Sequence, residues 1–229
     1  MLQQPEQIFC PECGGPIQFR GTTVSMVCEY CDSTVVRTGV DVELIGKVSA
    51  LIDTGSPIVL HSQGKFDGLG FRIEGRLQVQ YARGTWNEWF LSFADGSPGW
   101  LADAQGQFSV LRPVDANEVA GQVPPFHDYS VGLEYNLLGA PMVAVDKRGA
   151  SFKGAEGMLP FEATPDVKFW SVDFRGYDGR FATLDWGPSP DHSQPQPFVG
   201  RAVSLAEIGL FPLRRFNGWP PAKPPTVPA

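Results

Sequence analysis

Phe71-Arg72-Ile73-Glu74-Gly75-Arg76-Leu77-Gln78-Val79-Gln80-Tyr81 decides the fold class. Phe71, Ile73, Leu77, Val79 and Tyr81 alternate with polar residues, a period of two that predicts a strand with one face on a core and the other in water. Gly75 falls on the apolar face, where a glycine marks a bulge or a close backbone approach. Ala82-Arg83-Gly84-Thr85 then turns the chain into Trp86-Asn87-Glu88-Trp89-Phe90-Leu91-Ser92-Phe93. Asp95-Gly96-Ser97-Pro98 turns it again before Gly99-Trp100-Leu101, and Gly106 to Leu111 supplies a last strand.

Short strands, tight turns and almost no helical periodicity predict a small rolled barrel or sandwich over residues 42–113. Trp86, Trp89 and Trp100 read as its core and rim aromatics, because large rings dominate burial. Residues 114–130 read as a linker, since Val123-Pro124-Pro125-Phe126 cannot continue a central strand. A second β module covers 131–216, starting at Leu137 to Val145, with a hairpin from Val167–Phe174 to Arg180–Trp186 across Gly176-Tyr177-Asp178-Gly179. Glu74-Gly75-Arg76-Leu77 and Glu156-Gly157-Met158-Leu159 precede Trp89 and Trp170 by similar gaps. Each follows a Phe-x-Gly, Phe66-Asp67-Gly68 or Phe152-Lys153-Gly154, so the two modules are expected to be duplicates. Val203 to Ile208 fits one helical turn, and the Pro-rich tail at 217–229 has nothing to bury and is expected to be disordered.

The chain is mainly β by this reading, and its composition agrees: 42% hydrophobic and 12% aromatic residues supply a core, while 26 glycines and 21 prolines are spread as turn formers. The formal charge is −7, which repels phosphate backbones and anionic membrane surfaces alike. No run approaches the ~20 apolar residues of a membrane span, and Met1 to Phe9 has neither the basic nor the apolar part of a secretory signal. A cytoplasmic location is expected.

Cys10-Pro-Glu-Cys13-Gly-Gly and Cys28-Glu-Tyr-Cys31-Asp-Ser are two knuckles in residues 1–39, and they contain all four cysteines of the chain. In each, two thiolates converge on one side of a tight turn. Gly14 follows the first pair and Asp32 the second, two residue types that tolerate the positive φ such a turn needs. Between the knuckles, Ile17 to Arg20 and Val24 to Val27 flank Gly21-Thr22-Thr23, which predicts a β-hairpin with a knuckle at each end, a zinc-ribbon layout. Cys10, Cys13, Cys28 and Cys31 are therefore assigned to one Zn²⁺, with an iron site of the same S₄ geometry as the alternative. Four thiolates leave no position for water, so the metal is expected to be structural. A redox dithiol or disulfides fit a cytosolic pair of knuckles less well.

Two carboxylates draw attention as catalysts. Asp53-Thr54-Gly55-Ser56 resembles the active-site loop of aspartic proteases, but that chemistry needs a second carboxylate sharing a proton, and no second Asp-Thr-Gly occurs. A turn is the simpler reading. Glu88, between Trp86 and Trp89, has the setting for a raised pKa, although a strand residue facing water is the commoner case. His61, His127 and His192 are isolated, with no motif to organise them. No catalytic residue is assigned.

The knuckles followed by Gly75-Arg76-Leu77-Gln78-Val79-Gln80-Tyr81 and Gly84-Thr85-Trp86-Asn87-Glu88-Trp89-Phe90-Leu91 resemble an uncharacterised bacterial family that carries an N-terminal zinc ribbon and domain of unknown function 4178. The resemblance runs from 42 to about 215, supported by Gly99-Trp100-Leu101, Gly157-Met158-Leu159-Pro160 and Phe181-Ala182-Thr183-Leu184-Asp185. It offers no assigned catalytic residues to carry over. It implies a cytosolic partner of a membrane-linked stress or polyamine-related assembly. A non-catalytic protein-binding adaptor is the first expectation. A nucleic-acid-binding zinc ribbon is the second, opposed by Glu6, Glu12, Glu29 and Asp32 against Arg20 and Arg37 in residues 1–39. A hydrolase using Asp53 or Glu88 is the third. Trp86, Trp89, Trp100, Tyr177 and Trp219 are the candidate anchors for a partner, wherever one proves exposed.

Overall fold

The computed structural model describes residues 8–38, 41–47, 51–119, 123–191 and 194–216; the tail at 217–229 with Trp219, and His192, lie outside them. The ribbon holds β1 (Ile8–Phe9), β2 (Pro16–Ile17), β3 (Ser25–Val27), β4 (Ser33–Thr38) and β5 (Asp41–Lys47). A first meander follows: β6 (Gln63–Phe66), β7 (Leu69–Tyr81), β8 (Gly84–Phe93), β9 (Pro98–Ala104) and β10 (Gln107–Pro113). The second runs through β11 (Glu134–Leu137), β12 (Ala140–Leu159), β13 (Lys168–Gly176), β14 (Arg180–Asp185) and β15 (Gln196–Val203).

The meanders follow one plan. Each begins with a tight hairpin turned on a residue and a glycine at positive φ, Asp67-Gly68 and Leu138-Gly139. Each then has a bulge at the same distance beyond that glycine, after Ile73 in β7 and after Ala144 in β12. The two Glu-Gly tetrapeptides occupy different places in this plan: Gly75 and Gly157 face each other across the β7–β12 pair. A Cβ on Gly75 would lie 2.1 Å from the Met158 carbonyl oxygen, so only glycine permits this crossing.

All strand pairs are antiparallel, and β10 pairs with β15 while β7 pairs with β12. The path β7-β8-β9-β10-β15-β14-β13-β12 therefore returns to β7, and eight strands form a closed ring. The bulge at Glu74 changes what β7 does. Phe71 and Ile73 stand opposite Phe93 and Leu91 on the outer face, whereas Leu77 and Val79 stand opposite Glu88 and Trp86 on the inner one. The apolar stripe read as a single face thus serves two cores, because one extra residue inverts the pleat.

On the outside, Ile73, Trp89, Leu91, Leu101 and Val110 are covered by Ile58, Ile208 and Leu210. Val172, Phe174, Ala182 and Leu184 are covered by the 114–130 connection through Val119, Phe126 and Tyr129. The expected helical turn is present, with the Ile208 N–H donating to the Ser204 carbonyl at 3.2 Å. Leu77, Val79, Trp86, Phe90 and Ala150 form a third core inside the ring, closed by Leu159, Ala163 and Val27. Trp86 and Trp89 are buried and Trp100 partly buried, as core and rim aromatics should be.

The ribbon docks on this third core. Met26 and Ser25 of β3 pair with Met158 and Leu159, so β3, β4 and β5 continue the sheet of β12. The hairpin expected between Ile17–Arg20 and Val24–Val27 is replaced by two hairpins. β1 pairs with β2 around the first knuckle and β3 with β4 around the second. Only the turn survives, with the Thr23 N–H bonded to the Arg20 carbonyl, because each knuckle is itself a hairpin loop.

Candidate metal centre and ring interior

Both knuckles are built as their residue types require. Gly14 (φ 71°) and Asp32 (φ 58°) adopt the left-handed conformation. Gly14 N–H donates to the Cys10 carbonyl and Asp32 N–H to the Cys28 carbonyl, while the Gly15 N–H points at Cys13 Sγ from 3.4 Å. The four sulfurs lie within 4.8 Å of one another. Cys10–Cys31 and Cys13–Cys28 are each 3.8 Å apart, far beyond a disulfide and equal to the edge of a tetrahedron with ~2.3 Å Zn–S bonds.

The donor set fits a tetrahedral thiophilic ion, zinc or iron. The Ser33 hydroxyl and the Ser33 N–H bring the Cys31 thiol down to about 7. Burial pushes the Cys28 thiol up. A bound cation would supply the charge that favours all four thiolates.

Asp53 and Glu88 are placed apart and do different things. Asp53 holds a turn, accepting from the Gly55 N–H at 2.9 Å, and makes a two-armed ion pair with Arg214 at 2.7 Å and 2.7 Å. Hydrogen bonding from Arg214 keeps its carboxyl well below the usual range. The loop is pinned from both sides: Gln78 exchanges two 2.8 Å bonds with the Ile52 backbone, and Asn87 donates to Thr54 Oγ1 at 2.9 Å. No second carboxylate shares a proton with Asp53 among these partners.

Glu88 points into the ring. Its neighbours there are Asp173 and Asp185, from β13 and β14, strands that do not adjoin β8 in the ring. Charges that act on one another from opposite sides identify this face as the interior. Burial raises Glu88 to about 7; the Trp86 indole N–H, donating at 2.7 Å, and Arg148 act against it, whereas Asp173 and Asp185 add to it. Asp173 and Asp185 are also raised, mainly by burial. Arg148 answers them, bonding Asp173 Oδ2 at 3.1 Å, pairing with Asp146, and lying 5.0 Å over the Trp86 ring. Thr183 donates to Asp173 Oδ1 at 2.8 Å.

Asp173 keeps 19% of its side-chain surface accessible and Arg148 24%. The cluster is thus enclosed by strands yet touched by water. Asp173, Asp185 and Arg148 were not singled out by sequence. Their signal was the period-two alternation of β13 and β14, which looks the same whether the polar face meets bulk water or a ring interior.

The two described histidines have separate partners: His61 lies 3.9 Å from Glu29, and His127 pairs with Asp191 at 3.0 Å on the surface. Of the candidate aromatic anchors among the described residues, Tyr177 is exposed, at 77%. No described helix is long and apolar enough to cross a membrane.

A family model described as a domain of unknown function (DUF4178) matches residues 61–205. That span begins beside β6 and ends beyond β15, so it coincides with the ring and leaves the ribbon outside. No curated protein and no solved structure matches the chain.

Proposed function

Because the chain belongs to the DUF4178 family, whose description names no chemistry, we propose its function from the surface the ring exposes: a non-catalytic, zinc-containing adaptor that binds an extended apolar segment of a partner protein. One observation carries the reading. Val131 (57% exposed), Leu133 (57%), Val145 (38%) and Tyr177 (77%) gather beside β11, which pairs with β12 alone among the described strands. They are neighbours through the backbone, since Gly132 N–H donates to the Ala144 carbonyl and Ala144 N–H to the Leu133 carbonyl. Tyr177 is tied to the same edge by its hydroxyl, which donates to Glu134 at 3.1 Å.

A free strand edge flanked by apolar side chains is suited to strand addition, in which main-chain bonds give affinity and side-chain contacts give specificity. The ribbon's metal has a structural part in this reading. It folds a segment too short to bury a core, and the folded segment caps the inner core through Val27 and β3.

The test is affinity purification of the endogenous protein with cross-linking, in parallel with Tyr177→Ser and Leu133→Ser variants shown to be folded. Cross-links from a partner to residues beside β11, lost in both variants, are the expected result. A partner set unchanged in both variants contradicts the reading.

A further inference from the structure

The four sulfurs of the metal centre are placed unequally. Cys10 and Cys28 are buried, whereas Cys31 is partly open and Cys13 is exposed. Cys13 Sγ lies 3.8 Å from Cys28 Sγ, so the most accessible sulfur has a buried one beside it. A thiolate within reach of solvent, kept in the anionic form by a bound cation, is the form of cysteine that peroxides oxidise.

The buried pair is tied to the ring. Met158, near the end of β12, belongs to one apolar cluster with Cys10, Cys28, Phe19, Met26 and Val35. Among the described strands the ribbon joins the ring through β3 alone, over two residue pairs, Met26 with Met158 and Ser25 with Leu159. Val24 N–H donates to the Leu159 carbonyl at 2.8 Å, and the Ser25 hydroxyl to the Phe161 carbonyl at 2.5 Å. Beneath this seam Leu77, Leu159 and Ala163 are buried in one cluster with Val27 of the ribbon. A segment as short as the ribbon folds on its metal, so the seam lasts only while the metal is held.

We propose that the metal centre is an oxidant-sensitive latch: oxidation by a peroxide removes Cys13 and Cys28 as donors and frees the ribbon from the apolar end of the ring around Leu77, Leu159 and Ala163. In the first step Cys13 Sγ attacks one peroxide oxygen, the O–O bond breaks, hydroxide leaves and a sulfenic acid forms. The Cys28 thiolate then attacks that sulfur, the S–O bond breaks and a second hydroxide leaves. The two sulfurs lose two electrons between them and the peroxide gains them. Two thiolates remain, too few to hold the ion in a closed tetrahedral site. The latch rests on a metal held by the four cysteines and is independent of the surface beside β11.

The experiment takes the full chain loaded with zinc, measures its metal content, and adds hydrogen peroxide in steps. A chromogenic chelator reads released zinc, and peptide mass spectrometry reads both the disulfides and backbone hydrogen exchange. One zinc should be released for each Cys13–Cys28 disulfide formed. Exchange across residues 155–163 should rise about tenfold or more, the mark of local opening, while β9 and β10 stay protected. Removing the zinc with a chelator and no oxidant should give the same exchange pattern, and a dithiol reductant with zinc should restore the oxidised protein. Zinc retained while methionines are oxidised, a disulfide formed without zinc release, or zinc release that leaves 155–163 protected overturns the latch. A chain that takes up no zinc overturns the metal assignment and the latch with it, so the two failures are told apart.

Discussion

Replacing Glu88 by glutamine should make the protein more stable at pH 8 and leave it nearly unchanged at pH 4. The side chain keeps its shape, and its amide oxygen can still accept from the Trp86 indole, which sits 2.7 Å from the carboxylate. What disappears is a charge that the ring disfavours, mainly because burial strips it of water and also because Asp173 and Asp185 repel it. A carboxyl raised from 4.5 to about 7 holds its proton in the folded state after the unfolded chain has released it. The stability it contributes is complete below pH 4.5, falls as the pH rises and is gone above about 7. At about 1.4 kcal/mol per tenfold, the displacement corresponds to roughly 3 kcal/mol, and partial contact with water lowers this to ~2 kcal/mol. Urea unfolding from pH 4 to 8 measures it. The midpoint of Glu88→Gln should exceed that of the unaltered protein at pH 8, and the two should converge at pH 4. Asp173 and Asp185 are raised in the same direction and remain, so the variant keeps a shallower slope of the same sign. A variant that is less stable at pH 8 would refute the reasoning, since it would mean that Arg148 stabilises the Glu88 anion by more than burial costs it.

Three further outcomes follow from the same geometry. The unaltered protein should carry about one zinc per chain, and Cys13→Ser should lose it and unfold the ribbon while the ring still unfolds cooperatively; metal analysis with near-UV dichroism checks this, and global loss of dichroism would show that the ring needs the ribbon. Gly75→Ala should destabilise the ring by several kcal/mol in chemical denaturation, because its Cβ would meet the Met158 carbonyl at 2.1 Å, and an unchanged midpoint would mean that the β7–β12 pair is looser than described. Asp53→Asn should free the 51–57 loop from Arg214, seen as faster amide exchange at Gly55, without altering any peptidase activity; pepstatin-sensitive cleavage that vanished in the variant would reinstate Asp53 as a catalyst.

Local chemistry was legible in the sequence where it depends on neighbours in the chain. The knuckle spacing placed four sulfurs together, Gly14 and Asp32 took the positive φ their positions demanded, and Gly75 marked both a bulge and a close approach. Ring closure was not legible, because β7–β12 and β10–β15 join strands far apart in sequence and no turn encodes their register. The placement of Glu88 depends on that closure. A polar residue on an alternating strand gives one signal, and only the completed ring determines whether it meets bulk solvent or two other carboxylates. The two meanders share a plan of strands, yet the motif that led to the expectation of duplicates joins them at Gly75 and Gly157 instead of marking equivalent positions.

Cross-linked recovery of cellular partners by the unaltered protein, by a folded Tyr177→Ser/Leu133→Ser double variant and by Glu88→Gln tests the adaptor account most directly. It predicts that the double variant loses a partner whose cross-links fall beside β11, and that Glu88→Gln retains that partner and full function in the cell. A double variant that keeps every partner, together with a Glu88→Gln variant that alone abolishes function, would contradict it and locate the activity inside the ring.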